Sequence, residues 1–222
     1  MTHSGISKCN TPPNEQADLL ERAGRIVKGG GVIIVATETF YALAAAVSSE
    51  EAVRRIFRIK GRSKTKPLAL IASDRFLVEE LAADMPELAR GLMDRFWPGS
   101  LTILFQPTRP MSSLVTGPGG KIGVRVPPPC PARIVAAGSG GWITATSANR
   151  SGEPDPSTVG EIPKQVIDSV DFVLDSGPAA GGRPSTLVEA LPDDVRVLRR
   201  GVVPEAAIAA FVAEWRQAMR SV

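Results

Sequence analysis

Between Val53 and Ala72 the order of residues allows little besides a helix, an abrupt stop and a buried strand. Val53, Ile56, Phe57 and Lys60 recur at i, i+3, i+4 and i+7, which is one face of a helix. Lys60 therefore continues a stripe that faces the core, and a cation at the end of a buried stripe calls for an anion. Gly61 suits the left-handed residue that ends a helix, and Arg62 then projects from the turn near Lys60. After Pro67, the run Leu68 to Ala72 reads as a buried strand. Two readings of the cations stand side by side here. One is a basic helix terminus favoured by the helix dipole, and the other is an anion site.

The surrounding pattern is strand and helix in alternation. Asn14 is placed as the N-cap of a helix whose inner face is Leu20, Ala23 and Val27, with Gly24 beside them. Val32 to Ala36 is β-branched and apolar, as expected of a central strand covered on both sides. The hydroxyls of Thr37 and Thr39 follow at its C-terminal end, where open α/β sheets bind ligands and where ordinary turns also occur. Ser48 with Glu51 has capping-box spacing for the helix that ends at Lys60. Helices are expected over 74–83 and 86–96, with strands over 101–105, 121–126, 142–145, 171–175, 187–189 and 195–198. In the 121–126 strand, Lys121, Gly123 and Arg125 share the face opposite Ile122, Val124 and Val126. A helix over 132–137, a cap at Thr158 and Glu161, and a terminal amphipathic helix over 204–220 complete the chain. The expected class is α/β, with a mixed parallel and antiparallel open sheet flanked by helices. The expected division is a disordered N-terminal tail over 1–14 and a single domain over 15–222.

Composition removes several kinds of chemistry. The only histidine is His3, in the polar tail, so Ser-His-Asp, Cys-His and His-ligated metal sites are excluded. Cys9 and Cys130 stand far apart and suggest neither a disulfide framework nor a zinc site. The polar N-terminus lacks a signal-peptide core and no apolar run is long enough to span a bilayer, so a cytoplasmic protein with no membrane partner is expected. A net charge of +3 suits anionic partners such as nucleotides or RNA. Catalysis must then use cations, carboxylates, hydroxyls or backbone dipoles.

Strand ends supply Thr37, Thr39, Ser147, Asn149 and Ser185, while Arg58, Lys60, Arg62, Arg125 and Arg199 supply positive charge. Together they suggest a groove for a polyanion, with forked guanidiniums for phosphate. Neither a Walker A sequence nor a Rossmann glycine fingerprint occurs.

Six segments resemble the YrdC-like family of L-threonylcarbamoyladenylate synthases. They are Gly30–Ala44 (GGVIIVATETFYALA), Lys60–Ile71 (KGRSKTKPLALI), Trp97–Leu104 (WPGSLTIL), Thr146–Pro156 (TSANRSGEPDP), Gly181–Glu189 (GGRPSTLVE) and Leu198–Gly201 (LRRG). The resemblance covers residues 15 to 203, and its Lys-x-Arg and Ser-x-Asn motifs are its most specific part. It implies a twisted, YrdC/RibB-like mixed sheet with a basic concave groove. It also implies a reaction in which L-threonine, bicarbonate or CO2, and ATP give threonylcarbamoyl-AMP and pyrophosphate. Mg2+ would arrive on the ATP phosphates, and the product would serve the threonylcarbamoyladenosine modification of tRNA, with other tRNA-modification proteins as partners. Carried over residue by residue, Thr37 and Arg125 would contact threonine. Arg58, Lys60, Arg62, Ser147, Asn149, Ser185 and Arg199 would line the ATP site, with Lys60 and Arg62 stabilising charge as pyrophosphate leaves.

The chain departs from the family pattern at a few positions. Ala36 stands where Pro is usual, and Ala42 and Ala44 where Gly is usual, which would narrow the threonine pocket. Asp155 replaces a hydroxyl residue and would repel phosphate, and Lys121, also at a hydroxyl position, would compensate. These departures keep in view a non-catalytic paralogue that binds double-stranded RNA or tRNA in the groove. A third reading is carbamoyl transfer from another donor, as in the related domain of hydrogenase-maturation proteins; it goes with further domains that this chain is not expected to carry.

Overall fold

The computed structural model describes residues 6–8, 13–63 and 65–220. In chain order the elements are β1 (Ile6–Lys8), α1 (Pro13–Lys28), β2 (Ile33–Ala36), β3 (Tyr41–Ala44), α2 (Glu50–Lys60), β4 (Ala69–Ala72), α3 (Arg75–Leu81), β5 (Ala82–Ala83) and α4 (Glu87–Phe96). They continue with β6 (Leu101–Pro107), β7 (Ile122–Arg125), α5 (Pro131–Gly138), β8 (Trp142–Ser147), α6 (Lys164–Ile167), β9 (Phe172–Asp175), β10 (Thr186–Ala190), β11 (Val195–Arg199) and α7 (Glu205–Met219). The strands form one mixed sheet in the order β1-β9-β2-β3-β8-β4-β7-β6-β10-β11, with β5 added alongside β6. Pairing is parallel for β1–β9, β2–β9, β4–β7 and β6–β10, and antiparallel elsewhere.

Local chemistry explains the elements that position the groove. The amphipathic stripe of α2 is buried as its spacing predicts, with Val53, Ile56, Phe57 and Lys60 all inside. Burying Ile56 and Phe57 contributes about 1.5–3 kcal/mol each, which offsets part of the cost of carrying Lys60 inward. Gly61 closes the helix at φ +58°, and the N–H groups of Gly61 and Arg62 bond back to Arg58 and Phe57 carbonyls. This is the left-handed stop expected of that glycine.

Two cores lie on opposite faces of the sheet. On one face Ile33, Val35, Ala44, Ile71 and Phe172 pack with Ala23 and Val27 of α1 and Val135 of α5. On the other, Ile34, Leu43, Leu70 and Val173 pack with residues of α2, α3, α4 and α7. α1 and α5 lie against each other and against β2, β4, β8 and β9. β7, β6 and β10 continue the same face beyond them, and the groove forms where this helical cover stops.

Several boundaries differ from the sequence expectation. Asn14 lies inside α1 rather than capping it, because the helix begins at Pro13, whose missing N–H costs nothing in a first turn. Residues 6–8, expected in a disordered tail, pair in parallel with β9. His3, Cys9 and Lys64 lie outside the described residues. The cap of α2 is Ser49, whose side chain accepts from the Ala52 N–H, rather than Ser48. Tyr41–Ala44, where no strand was expected, is a strand returning against β2, so residues 37–40 form a four-residue hairpin loop. Thr158 and Glu161 form the expected capping box, on a single 3₁₀ turn over Val159–Glu161.

Candidate functional site

A groove of about 810 Å³ opens over the uncovered part of the sheet. Its floor is small: Ala42 of β3, Ala145 and Ser147 of β8, and Ala69 of β4. Register places Ala42 opposite Ser147 and Ala69 opposite Ala145, so these side chains share one face. Its rim is made of four loop segments, at 37–40, at 62–67 after α2, at 147–155 after β8, and at 184–185 before β10. Thr37, Lys60, Arg62, Arg125, Ser147, Asn149, Ser185 and Arg199 all line it. Eight of the nine positions named from sequence thus converge from separate elements.

Arg58 does not join them. One turn geometry separates it from Lys60: it sits on the outer side of α2, 64% exposed, paired with Glu51 at 2.6 Å. The expected place of Arg58 among the nucleotide contacts is corrected on that ground. Lys121, expected to compensate for Asp155, is instead bound to Glu189 at 2.5 Å and does not line the groove. Among the three alanines, Ala42 lines the groove, whereas Ala36 and Ala44 are packed into the two cores.

Lys60 is 2% exposed. Its ammonium donates to the carbonyl of Ser147, to the carbonyl of Asn149 (2.9 Å) and to Asn149 Oδ1 (2.6 Å). All three of its hydrogens are therefore committed. Burial pushes its pKa down to about 8, Arg62 adds to the shift, and Asp155 and Glu153 oppose it. Asn149 turns its Nδ2 the other way, toward the carbonyls of Glu153 (2.6 Å) and Pro154 (3.1 Å) and toward Asp155 Oδ1 (3.1 Å). Ser147 Oγ donates to Asn149 Oδ1 at 2.8 Å. The Lys-x-Arg and Ser-x-Asn segments are thus one hydrogen-bonded unit.

Neutral acceptors hold the other cations of this rim. Arg62 donates to the carbonyls of Lys66 (2.8 Å) and Pro67 (3.1 Å), and burial lowers its pKa. Arg199 donates to Ser185 O (2.9 Å) and Ser185 Oγ (3.1 Å), and Ser185 Oγ lies 2.8 Å from Thr102 Oγ1. Arg199 stays open to solvent, yet the groove walls, and then the like charge of Arg125 and Arg62, lower its pKa against the pull of Asp155. Three guanidiniums thus feel one another across one hollow, an arrangement that an anion relieves.

Arg125 is held differently. Its Nε lies 3.0 Å from Glu38 Oε1, and the two side chains are 8% and 7% exposed. On the same loop, Thr37 Oγ1 donates to Phe40 O (2.8 Å) and accepts from the N–H groups of Thr39 and Phe40. That hydroxyl shapes the hairpin loop. Sequence reading assigns no ligand role to Glu38, Thr102 or Lys66; a hydroxyl inside the apolar β6 and an acid between two threonines at a strand end were the available signals. A smaller cavity of about 390 Å³ shares no residue with the groove, and its charged lining is Glu50 and Arg109.

Comparison with known proteins agrees with this fold. The Sua5/yciO/yrdC family model, whose description is telomere recombination, matches residues 25–201. A Methanocaldococcus jannaschii protein is 34% identical over 190 residues, covering 86% of this chain and 89% of that protein. The threonylcarbamoyl-AMP synthase of Bacillus subtilis is 32% identical over 195 residues, 87% of this chain and 56% of that protein. The crystal structure of Pyrococcus abyssi Sua5 complexed with L-threonine superposes with a TM-score of 0.80 at 31% identity, covering 88% of this chain and 57% of that one. The chain therefore spans a little over half the length of the latter two. No helix among the described residues is long and apolar enough to cross a membrane.

Proposed function

The chain belongs to the Sua5/YciO/YrdC family, and from that premise we propose that it is a threonylcarbamoyl-AMP synthase. It joins L-threonine, bicarbonate or CO2, and ATP into threonylcarbamoyl-AMP and pyrophosphate. The observation that carries this reading is the meeting of Arg62, Arg125 and Arg199 with Ser147, Asn149 and Ser185 in one groove.

The chemistry asks for little acid–base work. The threonine amine and CO2 form a carbamate, whose oxygen attacks the α-phosphorus while the bond to the β-phosphate oxygen breaks. Pyrophosphate departs with that electron pair. What the protein supplies is positioning and charge stabilisation. Arg62 and Arg199 hold the triphosphate, with Ser185 as a hydroxyl donor, while Ser147, whose hydroxyl donates to Asn149 Oδ1, lines the ATP site and braces the turn. Arg125 and the 37–40 loop hold the amino acid. Lys60 and Asn149 act at one remove by shaping the 147–155 turn, while the buried ammonium adds positive potential beneath the phosphates. Losing Arg62 costs about 10²–10³ in rate, the scale for one preorganised donor.

Mg2+ enters on the nucleotide as part of the substrate. Oxygen donors suit it, and the groove offers the carboxylates of Asp155 and Glu153 beside the phosphates. On its phosphates the ion neutralises the charge that builds on the leaving pyrophosphate. The enzyme works in the cytoplasm, and its product passes to the tRNA-modifying machinery.

Mass spectrometry of the protein mixed with ATP, Mg2+, bicarbonate and threonine tests the proposal, with serine as the control amino acid. Threonylcarbamoyl-AMP is the expected product, and Arg62→Ala should slow its formation by about 10²–10³. ATP left intact by the wild-type protein in the complete mixture rejects the assignment.

A further inference from the structure

The groove's three guanidiniums are not equivalent. Arg62 is held by two carbonyls, and Arg199 by the carbonyl and hydroxyl of Ser185. Among the described residues neither makes an ion pair with a carboxylate, although Asp155 stands near enough to raise the pKa of Arg199. Arg125 instead lies against Glu38, with both side chains more than nine-tenths buried.

That contact is unusual in its detail. Arg125 Nε is 3.0 Å from Glu38 Oε1, yet its N–H is not aimed at the oxygen. Oε1 is met by Ser100 Oγ at 3.2 Å, and Oε2 is buried with no hydrogen-bond partner. Arg125 lines the groove and Glu38 stands behind it. A buried carboxylate left partly unsatisfied costs free energy that packing alone does not repay. Its return is electrostatic: it offsets the cost of burying the guanidinium charge and cancels most of that charge as felt by a ligand.

We propose that Glu38 sorts the groove's anions: by neutralising Arg125 from behind, it makes that end a subsite for a monocarboxylate and turns phosphate away. The consequence, resting on the synthase reading above, is that the threonine carboxylate occupies Arg125 while the triphosphate is confined to Arg62 and Arg199. A carboxylate carries one negative charge and docks on the outer fork of the guanidinium. A phosphate chain brings more charge to the same place and meets Glu38's repulsion through the pair. Glu38 is thus a positioning and specificity residue, acting through Arg125.

Equilibrium binding of L-threonine and of inorganic pyrophosphate tests this. In the wild-type protein the two ligands should bind together, with threonine affinity the same at saturating pyrophosphate. In Glu38→Gln, threonine alone should bind severalfold more tightly, because the uncancelled guanidinium attracts its carboxylate, and pyrophosphate should become competitive with it. Glu38→Asp, which restores the charge, should restore simultaneous binding. Pyrophosphate displacing threonine from the wild-type protein overturns the proposal without recourse to any variant. So does a folded Glu38→Gln with wild-type threonine affinity and non-competitive pyrophosphate. A wild-type protein that binds pyrophosphate but no threonine fails the synthase reading itself, a result distinguishable from both.

Discussion

The ammonium of Lys60 and the side-chain amide of Asn149 meet at 2.6 Å, and the same ammonium also takes the Asn149 carbonyl at 2.9 Å. One residue ends a helix and the other follows a strand end 89 positions later, so this contact decides where two motifs sit relative to each other. Either substitution leaves buried polar groups short of a partner: Lys60→Met takes the donor from two carbonyls and from Oδ1, and Asn149→Ala takes one of the three acceptors from the ammonium. We predict that each substitution costs about 2–4 kcal/mol, while the double variant costs little more than one of them. A double-mutant cycle by urea denaturation measures this coupling, and strictly additive losses would show that the two act separately.

The same burial sets a pH dependence. Lys60 is pushed from 10.5 to about 8, so between those values the unfolded chain binds a proton that the folded one has released. Stability from this group therefore rises with pH across that window. A polyanion in the groove favours the charged form and raises the pKa again. ATP binding near pH 8 should thus take up part of a proton. Calorimetry in buffers of different ionisation enthalpy detects it, and Lys60→Met should abolish the uptake.

Legibility from sequence followed the kind of signal each residue leaves. The α2 stripe, its glycine stop and the buried strands were readable because period and turn chemistry are local. Convergence of Ser147, Asn149, Ser185 and Arg199 came through motif resemblance, since spacing alone does not bring residues 60 and 199 to one hollow. Arg58 misled because it is two positions from Lys60 yet on another helix face, engaged with Glu51. β3 escaped because Tyr41–Ala44 is short and half alanine, without the β-branched residues that mark β2 as a strand. Glu38 left only its place between two threonines as a local signal: its meaning comes from Arg125, 87 positions away, and from burial that only packing creates.

Tyr41 offers a clean optical test, being the single tyrosine of the chain. Its hydroxyl donates to Gly177 O at 2.6 Å and accepts from the Ser176 N–H at 3.0 Å, tying β3 to the loop after β9. Burial first, with Asp175 adding, raises the phenol to about 12. Its stabilising contribution is full below pH 10 and falls as pH rises toward 12. Phenolate absorbance should stay absent through pH 10 while the chain is folded and appear at once on unfolding in denaturant. Tyr41→Phe should cost about 1–2 kcal/mol by leaving the Gly177 carbonyl bare.

Gly201 is a packing constraint on the groove wall. A Cβ there would lie 2.2 Å from Pro184 O and 2.5 Å from both Ser185 C and Thr186 N, all backbone atoms. Gly201→Ala must therefore displace the segment that carries Ser185, whose carbonyl and hydroxyl hold Arg199. We predict a loss of about 1–3 kcal/mol in stability, the range for overpacking, together with weaker ATP binding. Threonine affinity should change far less, because Arg125 and the 37–40 loop are anchored elsewhere. Equal losses for both ligands would indicate a general collapse of the groove.

Asp155 is, with Glu153, one of the two acids lining the groove among these cations. It lines the groove, accepts from Asn149 Nδ2 at 3.1 Å, and raises the pKa of both Lys60 and Arg199. A free triphosphate is repelled by this carboxylate, whereas a magnesium-bound one brings a cation for it to face. Asp155→Asn keeps the shape and an acceptor oxygen while removing the charge. Metal-free ATP should then bind severalfold tighter, from about 1 kcal/mol of lost repulsion, and the gain from adding Mg2+ should shrink. Lys60, deprived of a counter-charge, should titrate at lower pH, so the proton uptake on ATP binding should move below the wild-type window. Both shifts weaken with added salt if their origin is Coulombic. An unchanged ratio of metal-free to metal-bound affinity in Asp155→Asn would mean that the carboxylate faces Asn149 alone and takes no part in choosing the form of the nucleotide.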